Sequence, residues 1–90
     1  MIRVERTEGF DARLEELRPQ FPRLPEAIRG VITALRSGPG HVGELADESK
    51  QIYVAPLADV FGPAIHVAFA VQIKHSAMTV RLIDIHVRTP

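Results

Sequence analysis

Two hydrophobic rhythms divide the chain. Between Phe10 and Leu35 apolar residues recur every three or four positions, whereas from Ile65 to Val87 they fall mostly on every second one. Before either begins, Ile2 and Val4 alternate with Arg3 and Glu5, which predicts a short edge strand. Thr7 stands where a helix N-cap belongs, ahead of Phe10, Leu14 and Leu17 at i, i+4 and i+7. Pro19 and Pro22 end that helix. Pro25 suits the first turn of a second one, because the N–H it lacks would have no partner there anyway. Ile28, Val31, Ile32 and Leu35 then form the clearest helical stripe, stopped by Gly38-Pro39. Two such stripes can be buried only against each other or against a sheet, and an antiparallel helical hairpin is the economical expectation.

Gly38 to Lys50 has three glycines and little periodicity, and predicts a loop with a helical turn at Glu44–Asp47. Gln51–Leu57 follows as a strand, with Pro56 marking a sheet edge or a strand end. Ala58–Pro63 is a turn-rich link. Ile65–Ile73 and Thr79–Val87 predict two long strands joined through Lys74–Met78. Val67, Phe69, Val71 and Ile73 are apolar at odd positions, as are Ile83, Ile85 and Val87. A hairpin that puts both sets on one face pairs odd with odd. A loop centred on Ser76 does so, setting Phe69 opposite Ile83, Val67 opposite Ile85 and His66 opposite His86. A two-residue turn at Ser76–Ala77 pairs odd with even and is rejected on that ground. The other face then carries His66, Ala68, Ala70 and Gln72 beside Leu82, Asp84, His86 and Arg88, a composition that suits a partner or a second copy. Arg81 falls on the apolar face opposite Val71, at its solvated end. The expected fold is a single α+β domain over residues 1–90, with a short N-terminal strand and helical hairpin packed on a C-terminal antiparallel sheet.

Composition narrows what such a domain does. Ninety residues form one domain, and 46% apolar content supports a core. With no cysteine, disulfides and thiolate metal sites are excluded. No apolar signal segment or membrane span is present, so a cytoplasmic protein without membrane contact is expected. Eleven basic residues balance eleven acidic ones. That balance argues against a large phosphate-binding surface. Seven arginines crowd the first 40 residues but are interleaved with acids, as on a solvated helix face.

The order of elements resembles the RelE/ParE superfamily of bacterial toxins from type II toxin–antitoxin systems. Phe10-Asp11 with Leu14 and Leu17 resembles the family's opening helix, and Phe21-Pro22-Arg23 its inter-helix corner. Ile28 to Leu35 with Ser37-Gly38-Pro39-Gly40 resembles the second helix and its exit. Ile52-Tyr53-Val54, Ile65–Val71 and Leu82–Val87 resemble the three strands. The resemblance implies a toxin neutralised by a cognate antitoxin and acting on mRNA at the ribosome or on DNA gyrase. If active on RNA, it implies an endoribonuclease. The nuclease branch stabilises the reacting phosphoryl group with basic side chains on the sheet. Here those positions fall on Val54, Pro56 and His66, and a tyrosine position falls on Phe69. The gyrase-directed branch does not need them, and the closing Ile85-His86-Val87-Arg88 is similar to its ending.

His66, His86 and Arg88 are therefore the candidate catalytic residues, two imidazoles and a guanidinium that can serve as base, acid and phosphate clamp. Lys50 and Lys74 are more distant candidates. No cofactor and no metal is expected, although Asp84 beside the two histidines allows a zinc site to be drawn. The bland account is that both histidines are half-exposed strand residues and Arg88 a solubilising charge. Two readings from other classes stay open. One is a non-enzymatic interaction module that keeps the fold. The other is a small metal- or ligand-binding domain on the His66/His86 face.

Overall fold

The computed structural model describes residues 2–39, 42–57 and 64–88. The expected link at Ala58–Pro63 lies outside them, as do Gly40 and His41. The observed order is β1 (Ile2–Arg6), α1 (Glu8–Leu17), α2 (Leu24–Ser37), β2 (Glu44–Asp47), β3 (Ile52–Pro56), β4 (Ala64–Lys74) and β5 (Ala77–Arg88). The strands form one sheet in the order β1-β5-β4-β3-β2. Strands β2 to β5 run antiparallel, while β1 lies parallel to β5 at one edge. The chain is thus an α+β domain, with strand, helices and sheet laid out as the sequence predicts.

Local chemistry explains both helices. The Thr7 hydroxyl accepts a hydrogen bond from the Phe10 N–H at 3.2 Å, capping α1. Phe10, Leu14 and Leu17 are buried along one side. In α2 a first-turn proline starts the helix, and Gly38 ends it with φ 154°, a backbone setting that side-chain-bearing residues rarely adopt. Leu24, Ile28 and Leu35 are its buried residues, whereas Val31 and Ile32 are only half-buried at the rim of the core.

The helices cover one face of the sheet. Ile65, Val67 and Phe69 of β4, Val80, Leu82 and Ile85 of β5, and Ala55 of β3 join the helical residues in one cluster, with Val67, Phe69, Val80 and Leu82 fully enclosed. Each such large side chain contributes roughly 1.5–3 kcal/mol. Tyr53 stacks on Phe69, with ring centroids 5.5 Å apart and planes 9° from parallel. No buried side-chain nitrogen or oxygen among the described residues lacks a partner.

Two expectations about the second half are corrected. The stretch containing Glu44–Asp47 is a strand, not a helical turn: β2 pairs with β3, setting Glu44 opposite Val54 and Leu45 opposite Tyr53. Gly43, just before it, permits this approach. A Cβ there would come within 2.8 Å of the Val54 carbonyl oxygen and 3.2 Å of the Phe69 ring. The second correction concerns parity. The β4–β5 hairpin turns on two residues, His75 and Ser76, with φ 50° and 66°. Positive φ at both central positions is the turn that matches the twist of paired strands. Lys74 therefore pairs with Ala77, and odd pairs with even: Val71 with Val80, Phe69 with Leu82. The apolar set near the turn is Val80 and Leu82, at even numbers.

A β-bulge then restores like parity. Leu82 faces Phe69 and Asp84 faces Ala68, so Ile83 is the extra residue. Beyond it Val67 pairs with Ile85 and His66 with His86. The expected His66–His86 pairing stands, but the Phe69–Ile83 pairing does not. Leu82 is a core residue rather than part of the opposite face. Arg81 lies opposite Ala70, on the face away from the helices, where it reaches Glu5 at 3.6 Å. Ile73 shares the parity of the core but stands 68% exposed, because β3 pairs with β4 only as far as Ala70.

The first helix holds the bulge in place. The Leu82 carbonyl accepts from the Thr7 backbone N–H at 3.1 Å and from its hydroxyl at 2.9 Å. Arg13 Nε donates to the Ile85 carbonyl at 3.3 Å. The Asp84 carboxylate accepts from the Ile85 N–H at 2.8 Å. Backbone groups that the bulge removes from the ladder thus find partners.

Candidate functional site

The sheet face away from the helices is open among the described residues. Its rows follow from the register. Pro56, His66 and His86 lie side by side across three strands; Glu44, Val54, Ala68 and Asp84 form the next row, and Ile52, Ala70, Arg81 and Glu5 the one after. Small alanines in the middle strand leave the face low at its centre. Between β2 and the C-terminal part of β5 it deepens into a groove of about 840 Å³, whose walls include Glu44, Val54, Pro56, His66, His86 and Arg88.

All three candidate residues therefore meet in one place. His66 is half-buried at the groove floor and His86 stands opposite it, with its side chain 61% exposed. Arg88, two positions along β5 on the same face, completes that wall. The bulge is what brings them there. Without the extra residue at Ile83, the register set by the turn would send Asp84, His86 and Arg88 to the core side. Asp84 Oδ2 approaches His86 Nε2 at 3.5 Å, while its other oxygen is fixed by the Ile85 N–H. This carboxylate orients the imidazole.

The other two candidate cations are not part of the groove. Lys50 sits in the β2–β3 turn, where its N–H donates to Asp47 Oδ1 at 3.3 Å. Lys74 lies at the far end of β4, in a separate depression with Gln72, His75 and Thr79. In the same turn the Ser49 hydroxyl donates to Asp47 Oδ1 at 2.8 Å. That bond, followed by the Lys50 N–H, lowers the Asp47 pKa from its ordinary value. Five of the seven N-terminal arginines, Arg3, Arg6, Arg13, Arg18 and Arg23, are paired with acids. Arg6 pairs with Asp11 at 3.3 Å, Arg13 with Glu16 at 2.9 Å and Arg18 with Glu15 at 3.0 Å, all on the helical side. They form a solvated surface.

Sequence reading missed the wall contributed by Val42 to Ala46, because that stretch shows no strand-like alternation. The acid in the groove wall matters to its chemistry. Glu44 lines the groove together with Arg88, so the local charge is mixed rather than basic. A phosphate entering it meets one guanidinium and one carboxylate. Val54 and Pro56 offer it an apolar surface. Among the described residues no group of three or more histidine, aspartate or glutamate side chains stands close enough to hold a metal ion.

Fold and site together define an α+β domain with one face sealed by helices and the other presenting an apolar, weakly charged groove. No protein-family model, curated protein or solved structure matches the chain. No helix among the described residues is long and apolar enough to cross a membrane.

Proposed function

We propose that the chain is the toxin-like half of a type II toxin–antitoxin pair, neutralised by a cognate antitoxin and acting by protein contact. The element order that resembles the RelE/ParE superfamily supports the first part of this reading. The groove supports the second, and it is the observation that carries the choice. Val54 and Pro56 give it apolar surface, while Glu44, His86 and Arg88 give it both signs of charge. Such a surface suits a polypeptide segment, which brings apolar side chains and paired charges. It suits a phosphodiester poorly, since the Glu44 carboxylate repels it and Val54 and Pro56 offer it no side-chain donor. DNA gyrase is accordingly favoured over ribosome-bound mRNA as the target.

Inducing the protein in a bacterium, alone and with the chain encoded beside it, tests the proposal. The expected result is growth arrest with DNA-damage signalling and intact mRNA, relieved by the neighbouring chain. Arrest with mRNA decay that His66→Ala or Arg88→Ala relieves would instead establish the nuclease. Normal growth together with tight binding of the neighbouring chain would reduce the protein to an interaction module.

A further inference from the structure

We propose that His66 and His86 form a two-imidazole chelate for a divalent transition-metal ion, with Zn²⁺ the natural probe. This goes beyond the proposed function and does not depend on it.

The pair meets the steric requirement of a chelate. Directly opposed residues in an antiparallel pair have Cβ atoms about 4.5–5.5 Å apart on the same face. His66 and His86 are such a pair. A tetrahedral ion bonded to two nitrogens at about 2.0–2.1 Å needs them roughly 3.3 Å apart, a span that two opposed rings reach by side-chain rotation. Both strands are held by neighbours, β4 by β3 and β5 by the first turn of α1, so the backbone separation is fixed before an ion arrives.

The surroundings supply the rest. Asp84 Oδ2 lies 3.5 Å from His86 Nε2, an arrangement that steadies the ring through one nitrogen and leaves the other for an ion. The groove is open to solvent, so entry is unhindered and the remaining coordination positions are filled by water. With no third protein donor in place among the described residues, the site is an exchangeable one rather than a closed structural one. Arg88 opposes the ion electrostatically, and Glu44 across the groove offsets part of that charge. These two residues set the affinity without touching the metal.

Titrating Zn²⁺ into the full chain at pH 7.5, followed by calorimetry and by the histidine ring resonances, is the test. One equivalent is expected to bind, with the His66 and His86 signals shifting together. His66→Ala and His86→Ala should each weaken binding by more than tenfold, and Asp84→Asn by about tenfold. Arg88→Gln should tighten binding, whereas His75→Ala, at the hairpin tip, should leave it unchanged. Thermal unfolding of each metal-free variant separates loss of the site from loss of the fold, and His86→Asn serves if the alanine variant unfolds. The proposal is overturned if a folded His66 or His86 variant binds as the parent does, or if His75→Ala alone abolishes binding.

Discussion

The two faces of the sheet are built from the same strands and could hardly be more different. On the helix side, Val67, Phe69, Val80, Leu82 and Ile85 are sealed beneath α1 and α2. On the other, His66 and His86 face a groove that nothing among the described residues covers. The covered face is held by burial, which is non-directional and tolerates few changes of volume. The open face is held by register alone. Its side chains contribute little to folding, so they are free to serve binding. A bulge at Ile83 separates the two roles by turning Asp84, His86 and Arg88 outward while Leu82 and Ile85 stay in.

This contrast is easiest to break from the covered side. Phe69→Ala removes a ring with no exposure that also stacks on Tyr53, and should cost about 3–5 kcal/mol in denaturant unfolding. His66→Ala, on the same strand but facing out, should change stability by no more than about 0.5 kcal/mol. Comparable losses from both would show that the open face is packed after all.

Gly43→Ala probes the seam between the faces, where β2 meets β3. The new methyl group would press on the Val54 carbonyl at 2.8 Å, a backbone atom that cannot swing aside. A loss of about 1–3 kcal/mol is expected, with the NMR shifts of Val54 and Tyr53 showing the displaced edge. Thr7→Ala tests the tie between α1 and the bulge. It should lose about 1–2 kcal/mol, and Thr7→Ser should recover most of it, since the hydroxyl caps Phe10 and bonds Leu82. If alanine perturbs only α1 and leaves the shifts of Ile83 to Ile85 unmoved, the helix is not what fixes the bulge.

The smallest effect concerns Asp47. Its folded pKa is depressed, so its contribution to stability is present above the unfolded value near 3.8 and is lost as pH falls through the lower folded value. Ser49→Ala removes the largest cause and should move the Asp47 carboxylate midpoint upward in an NMR titration. An unchanged midpoint would show that the turn's hydrogen bonds are not formed in solution.

Part of the bulge was visible in the sequence. Apolar residues run Met78, Val80, Leu82 at even positions and then Ile83, Ile85, Val87 at odd ones, so the phase changes at the adjacent pair Leu82-Ile83. Grouping Ile83 with the later residues hides that change and makes a longer turn look necessary. His75-Ser76 also lacks the asparagine or glycine that usually marks a two-residue turn of this kind. The groove's outer wall was not readable at all. Glu44 to Asp47 has neither alternation nor β-branched residues, and it is a strand because β3 offers an edge and Gly43 allows close approach.

Elements that depend on neighbours in the chain were set by sequence alone. The spacing of Phe10, Leu14 and Leu17, the cap at Thr7, the stop at Gly38 and the strand-like runs after Ile65 act over one or two turns, and they acted as read. Register, the bulge, the fourth antiparallel strand and the parallel seat of β1 beside β5 were decided only in the folded molecule. They depend on pairings between residues as much as 76 positions apart, as Thr7 and Ile83 are, and no local pattern carries that information. The candidate site belongs to this second group, because a single extra residue in β5 determines which way its histidine, carboxylate and arginine point.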